Sequence, residues 1–247
     1  MSTISSIEWT ERTWNPVVGC HKISQGCKNC YAEVMSRRLR AMGSSAYQQP
    51  FTKVRLLPER LAEPLQVRKP AMWFVNSMSD LFQKDVPDAF IAKTFETMRE
   101  ASWHTFQVLT KRPARMARYF SEHAAPSTNV WLGTSVENKK QGLPRIAELA
   151  KIKANIRFLS IEPLLEDVGS IDLSGIHWVI VGGESGPQAR PIKIEWIRSI
   201  YKQCRAQRVA FFFKQWGAWG ADGIRRSKGA NGRQFKGRTW NEMPVPV

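Results

Sequence analysis

The stretch Thr105–His123, TFQVLTKRPARMARYFSEH, contains the unit from which the fold is built. Its first six residues form a run of strand length and strand composition. Pro113 then opens a segment with the spacing of an amphipathic helix, and the polar pair Lys111–Arg112 joins the two. A strand that runs directly into a helix predicts a β/α unit, in which successive strands are parallel.

The same alternation recurs along the chain. Seven runs have the length and composition of strands, namely Thr13–Val18, Met72–Ser77, Thr105–Thr110, Asn129–Ser135, Ile156–Ile161, His177–Val181 and Val209–Phe213. Helical spacing is found over Ala32–Met42, Pro87–Ala101, Pro113–His123, Glu137–Lys151 and Ile194–Gln207. The pattern predicts an α/β fold whose parallel sheet is covered by helices and is either open or curled into a partial barrel.

The length of the chain favours one main domain. Its 247 residues can bury a sizeable core, and we predict a single α/β domain over 1–216. The segment 43–70 does not fit the alternation and is predicted to be an insertion with one short helix. The segment 217–247 is basic, contains glycine and tryptophan, and is predicted to be an arm or lid.

Three cysteines, Cys20, Cys27 and Cys30, lie within eleven residues. Clustered thiolates are typical of a metal site, and three are one fewer than the four of a closed zinc or iron–sulfur site. An open coordination position indicates a metal site that takes part in a reaction rather than a purely structural one. Iron–sulfur, zinc and structural roles all remain open here, and zinc would need a fourth ligand such as His21. Cys204, alone in a helical stretch, is expected to be inert.

The compartment follows from what the sequence lacks. Met1–Thr10 contains no apolar segment of a secretory signal, and no apolar run approaches the ~20 residues that cross a membrane. We therefore expect a cytoplasmic protein that does not contact membrane. In that reducing compartment a disulfide among the clustered cysteines is not expected.

Polar residues follow nearly every predicted strand. Ligands of parallel α/β folds bind beyond the carboxyl ends of the strands, so these residues are predicted to converge on one mouth. The residues concerned are Asn76, Ser77 and Asp80 after the second strand, Lys111 and Arg112 after the third, Ser135 after the fourth, Glu162 after the fifth, and Gly182, Gly183 and Glu184 after the sixth. Taken singly, each could be a helix cap or a solvated loop residue, above all Ser135 and also Asp85.

A set of short motifs gives this chain a family resemblance. The motifs are Trp14-Asn15-Pro16, Gly19-Cys20, Cys27-Lys28-Asn29-Cys30-Tyr31-Ala32, Leu109-Thr110-Lys111-Arg112-Pro113, Gly133-Thr134-Ser135-Val136-Glu137, Ile161-Glu162-Pro163-Leu164 and Gly182-Gly183-Glu184-Ser185-Gly186. With its three-cysteine loop after the first strand, the chain resembles the radical S-adenosylmethionine (SAM) superfamily. Within it, the chain is similar to a radical-SAM-like family of unknown function common in phages and prophages. Its third and fourth strands also resemble those of the spore photoproduct lyases, which repair DNA.

The resemblance implies a partial (β/α) barrel of about six to seven parallel strands, a [4Fe–4S] cluster and SAM as cofactors, and an external electron donor. It implies that Cys20, Cys27 and Cys30 hold the cluster and that Lys111 binds the SAM carboxylate with help from Ser135. Asn76, Ser77 or Asp80 would lie near the SAM amino group, and Glu162 near the ribose or the substrate. The reaction would be of lyase or transferase type, with no catalytic residue assigned.

The chain also departs from the superfamily pattern. Six residues separate Cys20 from Cys27 where the superfamily has three, and Asn29 stands where an aromatic residue commonly precedes the last cysteine. The Gly-Gly-Glu sequence follows the sixth strand, although in the superfamily it follows the second. Its superfamily role is therefore not transferred to Glu184.

Charge indicates the partner. The chain has 37 Lys and Arg against 21 Asp and Glu, a net charge of +16, which attracts polyanions. Between residues 201 and 240, ten cations and one acid are interleaved with aromatic residues, although Phe211–Phe213 are expected to be strand core. Nucleic acid, DNA or RNA, is thus the expected substrate, with a peptide or small molecule as rival. The alternative class is a non-catalytic nucleic-acid-binding module braced by zinc or a cluster.

Overall fold

The computed structural model describes residues 3–245. The predicted fold class is confirmed, because seven parallel strands form a curled α/β half-barrel. The chain divides into two compact units. The first comprises Met1–Ile23, Cys30–Leu132 and Ile152–Asn155, and the second comprises Ser24–Asn29, Gly133–Lys151 and Ile156–Val247. The predicted division at residue 216 stays a prediction.

Among the described residues, six strands lie wholly within the first unit. They are β1 (Thr3–Ile4), β2 (Arg12–Trp14), β3 (Val17–Val18), β4 (Arg55–Leu56), β5 (Met72–Val75) and β6 (Thr105–Thr110). Strands β2, β5 and β6 pair in parallel in that order, β1 lies antiparallel to β2, and β3 pairs antiparallel with β4.

The single strand predicted over Thr13–Val18 is wrong, because the chain leaves the sheet at Asn15-Pro16. Proline has no N–H to donate to a neighbouring strand. Beyond it, the Val17 N–H donates instead to Asn76 Oδ1 at 3.2 Å. The break therefore turns the chain away from the sheet just before the cysteine loop.

Three helices belong to the first unit, α1 (Tyr31–Ala41), α2 (Asp88–Glu100) and α3 (Pro113–Glu122). Their bounds agree with the predicted ones to within a residue or so. The segment 43–70, however, contains β4 and three 3-10 turns, Ser45–Tyr47, Pro58–Arg60 and Pro64–Gln66, where one short helix was predicted. Prolines start two of these turns, and a proline inside a longer helix would break its hydrogen bonding. Tyr47 and Leu57 are buried with Val18, Ala32 and Met78, so the segment contributes to the core.

Strand β7 (Val130–Ser135) begins in the first unit and ends in the second. The second unit then contains α4 (Lys139–Ala150), β8 (Ile156–Ile161), β9 (Trp178–Gly182), α5 (Ile194–Ala206), β10 (Ala210–Gln215), α6 (Lys228–Asn231), β11 (Gln234–Phe235) and β12 (Arg238–Thr239), together with a 3-10 turn at Gln25–Cys27. Strand β9 pairs in parallel with β8 and with β10.

The core of the second unit is rich in aromatic residues. Phe211, Phe212 and Phe213 are at most 2% exposed, which confirms their assignment to the strand core. In the predicted arm, Phe235 and Trp240 are also buried and pack against the Tyr201 ring. None of the described helices is both long enough and apolar enough to cross a membrane.

Candidate metal centre and strand ends

None of the four cysteines forms a disulfide. Cys27 is buried, and Cys20 and Cys30 are partly exposed. Cys204 is fully buried in α5, and this burial raises the pKa of its thiol to about 12. The thiolate is the form that binds metal and attacks electrophiles, so burial disfavours both reactions at Cys204, and its expected inertness stays a prediction.

The backbone before Cys20 is tightly enclosed within the first unit. Gly19 has a φ of +84°, and a Cβ there would lie 2.5 Å from the Lys53 carbonyl oxygen. The Gly19 carbonyl accepts hydrogen bonds from Ser79 Oγ at 2.6 Å and from Gln83 Nε2 at 3.0 Å. The Cys20 N–H donates to the Phe51 carbonyl at 2.8 Å. Only glycine fits this conformation and space, so Cys20 has a defined starting position.

Arg112 lies beside Cys20. Its Nη1 is 3.9 Å from Cys20 Sγ and 2.9 Å from Asp80 Oδ2, and its Nη2 donates to the His21 carbonyl at 2.8 Å. Burial lowers the pKa of Arg112, but the charges of Asp80 and Cys20 outweigh burial and raise it. The guanidinium therefore stays charged and lies within reach of the Cys20 sulfur.

Asp80 is the anchor of this arrangement. Its carboxylate also accepts hydrogen bonds from Thr110 Oγ1 at 2.7 Å and from the Lys111 N–H at 3.0 Å. A buried carboxylate with these donors is satisfied by the protein itself. Asp80 thereby joins the turn after β6 to the turn after β5. The role assigned to Asp80 near the SAM amino group stays a prediction.

Asn76 and Ser77 form the turn after β5. Asn76 is buried with a φ of 60°, and Ser77 Oγ donates to Asn15 Oδ1 at 3.2 Å. The Ser77 carbonyl accepts from the Tyr31 hydroxyl at 2.6 Å. Asn76 Nδ2 is buried without a hydrogen-bond partner among the described residues, which is costly unless a ligand or water supplies an acceptor. Asn76 therefore offers a donor to a bound group.

In the second unit, buried Glu137 holds the segment that contains Cys27. Ser24 Oγ donates to Glu137 Oε1 at 2.8 Å and lies 3.5 Å from Cys27 Sγ. A Cβ on Gly26 would lie 2.5 Å from the same carboxyl group, so the 3-10 turn is seated directly against it. Glu137 is fully buried and pairs with Arg145 at 2.7 Å, and Arg145 also donates to the Ser135 carbonyl at 2.9 Å.

Glu184, at the end of β9, holds the other end of this segment. Asn29 Nδ2 donates to Glu184 Oε2 at 3.1 Å and to the Gln188 carbonyl at 2.7 Å. Arg190 pairs with both oxygens of Glu184, at 2.9 and 2.6 Å, and its Nη1 donates to the Gln25 carbonyl at 3.1 Å. Sequence reasoning missed Glu137, Arg145 and Arg190 as residues that hold the loop, and it noted Asn29 only as a departure.

Ser135 and Glu162 occupy separate surroundings in the second unit. Ser135 is buried, and it does not cap α4, because the N-cap is Asn138, whose Oδ1 accepts from the Gln141 N–H at 2.8 Å. Glu162 pairs with Lys214 at 3.4 Å, and a Cβ on Gly182 would lie 2.3 Å from its Oε1.

In the first unit, Asp85 does not cap α2 either. The N-cap of α2 is Pro87, and Asp85 instead contacts His21 Nε2 at 2.5 Å. This contact occupies the histidine that the sequence offered as a fourth zinc ligand.

Within residues 3–245, no three His, Cys, Asp or Glu side chains are grouped closely enough to hold a metal as they stand. The chemistry of the donor set nevertheless fits an iron–sulfur cluster, since three soft thiols share one loop and the charged Arg112 guanidinium lies beside one of them. The ligand roles of Cys20, Cys27 and Cys30 stay predictions.

Comparison with known proteins identifies the family. Residues 4–244 match the family described as "Protein of unknown function (DUF5131)". The chain belongs to this family. A search of curated proteins gave no match.

Several solved structures of spore photoproduct lyase are similar to this chain. The complex with dinucleoside spore photoproduct has a TM-score of 0.47 and 13% sequence identity, and a mutant with bound AdoMet and the same ligand has 0.48 and 13%. Another mutant with the dinucleoside has 0.49 and 11%. Each comparison covers 82% of this chain and 63% of the lyase chain, so our chain spans less than two thirds of its length. At these values the likeness assigns no activity.

The Glu184–Arg190 pair predicts how stability depends on pH. Burial raises the pKa of Glu184, but the hydrogen bonds and charge of Arg190 outweigh burial and lower it. The pair therefore stabilises the fold at pH values above 4.5, the ordinary pKa of the carboxyl group. This contribution is lost as the pH falls through the lower pKa that Glu184 has in the folded protein.

Glu184→Gln is accordingly expected to lower the free energy of unfolding by about 2 kcal/mol at pH 7 and by progressively less below pH 4.5. Urea unfolding at several pH values measures the difference. Glu195→Gln, at an exposed position of α5, is the control and should change stability by less than about 0.5 kcal/mol. An effect of Glu184→Gln that is constant with pH would contradict the assignment.

Proposed function

We propose that this chain is a radical SAM enzyme whose Cys20, Cys27 and Cys30 hold a [4Fe–4S] cluster and whose substrate is a nucleic acid. The observation that supports this proposal is a loop of three thiols, none in a disulfide, whose backbone is held by buried ion pairs. Asp80–Arg112 lies beside Cys20, and Glu137 anchors Ser24 next to Cys27. Such bracing is what a preorganised ligand loop requires.

Three thiolates are the ligand set that leaves one iron of a four-iron cluster without a protein ligand. When bound, the cluster would supply the electron that cleaves the sulfonium of SAM, with the electron coming from an external donor. The protein's own part is to bind and orient SAM. We assign the SAM carboxylate to Lys111, with help from Ser135, because Lys111 directly follows β6, at the end of the strand where ligands of parallel α/β folds bind.

The remaining assigned residues differ in whether they donate or accept hydrogen bonds, and this difference limits which atoms of SAM each can bind. The buried Asn76 Nδ2 can only donate, so it suits a carboxylate or ribose oxygen of SAM better than its amino group. The carboxylate of Glu162 can only accept when it is ionised, which suits the ribose hydroxyls or a donor on the substrate. Ser77 is engaged with Asn15, and we propose for it a supporting role in the turn after β5.

The net charge of +16 supports a nucleic acid as the substrate, because it favours encounter with a polyanion over a neutral peptide or small molecule. The proposal covers the substrate class. Whether the reaction is of lyase or transferase type follows from the product.

Anaerobic reconstitution with iron and sulfide tests the proposal. We expect about four irons per chain, visible charge-transfer absorption, and release of methionine and 5′-deoxyadenosine from SAM after reduction. Retention of about one zinc without visible absorption would overturn the proposal and favour the non-catalytic binding module. Modified nucleosides from cells with and without the active gene would identify the product.

Lys111→Ala is expected to weaken SAM binding by about 1.5–3 kcal/mol while cluster absorption stays unchanged, since a charge-assisted contact to the carboxylate is lost. Isothermal titration of the reconstituted protein with SAM measures this. Arg112→Ala is the comparison, and it should instead lower iron retention because it removes the partner of Asp80. Unchanged SAM affinity in Lys111→Ala would move the carboxylate contact elsewhere.

A further inference from the structure

A pocket of about 410 Å³ lies within the second unit. One wall is the turn Ser185–Pro187 that follows β9, and the other is formed by Ala218 and by Arg225–Lys228, which lead into the start of α6. Ser185–Pro187 and Arg225–Lys228 are exposed, so the pocket is open to solvent. Its volume is within the range of pockets that hold small ligands and is adequate for a phosphate with an attached sugar.

The pocket is strongly basic. Arg225, Arg226 and Lys228 line it, and none of the described lining residues is acidic. Asp222 forms two hydrogen bonds with Arg226, at 2.9 and 2.6 Å, and neutralises one of the three cations. The lining therefore contains three cationic side chains and no carboxylate of its own. An anion is therefore the ligand that this lining favours.

Two serine hydroxyls in the wall accept hydrogen bonds from the protein. Ser185 Oγ accepts from Gln215 Nε2 at 2.9 Å, and Ser227 Oγ accepts from the Ala230 N–H at 3.2 Å. Neither hydroxyl donates its proton to another described residue. Each can therefore donate to a ligand, so the pocket has neutral donors beside its charged ones.

Arg225 is held in place by the opposite wall. Its Nη2 donates to the carbonyls of Gly186 and Pro187, which ties the segment before α6 to the turn after β9. Nε and Nη1 donate to no acceptor in the described part of the chain. Gly186 has a φ of +103°, which side chains rarely adopt, so glycine is needed for this turn. A planar guanidinium fixed in this way is preorganised to bind a phosphate.

We propose that this pocket binds a backbone phosphodiester of the nucleic-acid substrate. A phosphodiester presents only acceptor oxygens and a negative charge, and the lining consists of cations and hydroxyl donors. The identity of the polymer rests on the proposed function, since free phosphate has the same local chemistry. The sequence already indicated Arg225, Arg226 and Lys228 as contacts of the basic segment, and the pocket adds the turn after β9 and the two serine hydroxyls.

The test compares two double variants of the full chain. Arg225→Gln/Lys228→Gln removes two charges from the pocket, and Lys140→Gln/Lys202→Gln removes two exposed charges of α4 and α5 that do not line it. Fluorescence anisotropy with a labelled 20-nucleotide single strand, from about 50 to 200 mM salt, measures affinity. The pocket variant should bind about tenfold more weakly than the control at 50 mM, and its salt slope should fall by about 1–2.

Two more measurements separate the outcomes. The variant Arg225→Lys/Lys228→Arg keeps the charges and should retain the salt slope, and Ser185→Ala should weaken binding about threefold with the slope unchanged. Equal affinity and slope in the pocket variant and the lysine control would overturn the proposal. Inorganic phosphate that displaces the strand fully at equal concentration would assign the pocket to the free ion.

The same variants are assayed for iron content and for SAM cleavage without substrate. Retained cleavage with unchanged strand binding would overturn the pocket assignment and leave the proposed function standing. If only the pocket variant loses binding of the labelled strand, and the wild-type protein holds no iron after reconstitution, the pocket assignment is supported and the proposed function is overturned.

Discussion

Replacing Cys20, Cys27 or Cys30 by alanine is expected to abolish iron binding in each case, because a site with three thiolates has no spare protein ligand. Iron and sulfide assays after anaerobic reconstitution, together with visible absorption, measure the loss. The expected result is a fall from about four irons per chain to nearly none.

Cys204→Ala is the matched control for these variants. Its thiol is fully buried in α5 with a pKa of about 12, so we expect full iron content and only a modest loss of stability, about 1–2 kcal/mol. If Cys204→Ala lost iron as completely as the others, a closed four-cysteine site would replace the open one. Full iron content in any of the three loop variants would remove that cysteine from the ligand set.

Glu137→Ala is expected to have the largest effect on stability, about 3–5 kcal/mol. Glu137 is fully buried and Arg145 nearly so, and truncation leaves the guanidinium charge without its partner. Ser24, which donates to the same carboxylate next to Cys27, loses its acceptor as well. Urea unfolding measures the stability, and iron retention measures the effect on the loop.

Controls separate charge burial from loop anchoring. Glu148→Ala removes a partly exposed partner of the exposed Lys151 and should cost less than about 0.5 kcal/mol. The double variant Glu137→Leu/Arg145→Met replaces the ion pair with apolar groups and should recover most of the stability while iron retention stays low, since Ser24 still lacks its acceptor. A cost below about 1 kcal/mol for Glu137→Ala would show that the pair is not structural.

Much of the fold follows from local patterns. Strands β6 and β8 have the bounds that their composition predicts, and α3 begins at Pro113 as expected. Strands of a covered parallel sheet are buried on both faces and so appear as continuous apolar runs. Helix starts are also local, since a proline in the first turn needs no N–H partner.

Departures from these patterns arise where distant groups interact. The break after β2 needs Asn76 Oδ1, 59 residues away, to accept the Val17 N–H, and Asn76 itself adopts a φ of 60°. A strand propensity scan cannot detect such a contact, because it evaluates only neighbours along the chain. The same holds for the 3-10 turns of segment 43–70, which are packed around Tyr47 and Leu57.

For the candidate site, the sequence by itself determined which atoms can do chemistry: three thiols in eleven residues, Lys111 after its strand, and a basic segment near the end of the chain. Only the tertiary structure showed how those atoms are held. Ser24 meets Glu137 across 113 residues, and Asn29 meets Glu184 across 155. Residue type sets the chemistry of a group, whereas the pKa, burial and partners of that group depend on which distant side chains the fold brings to it.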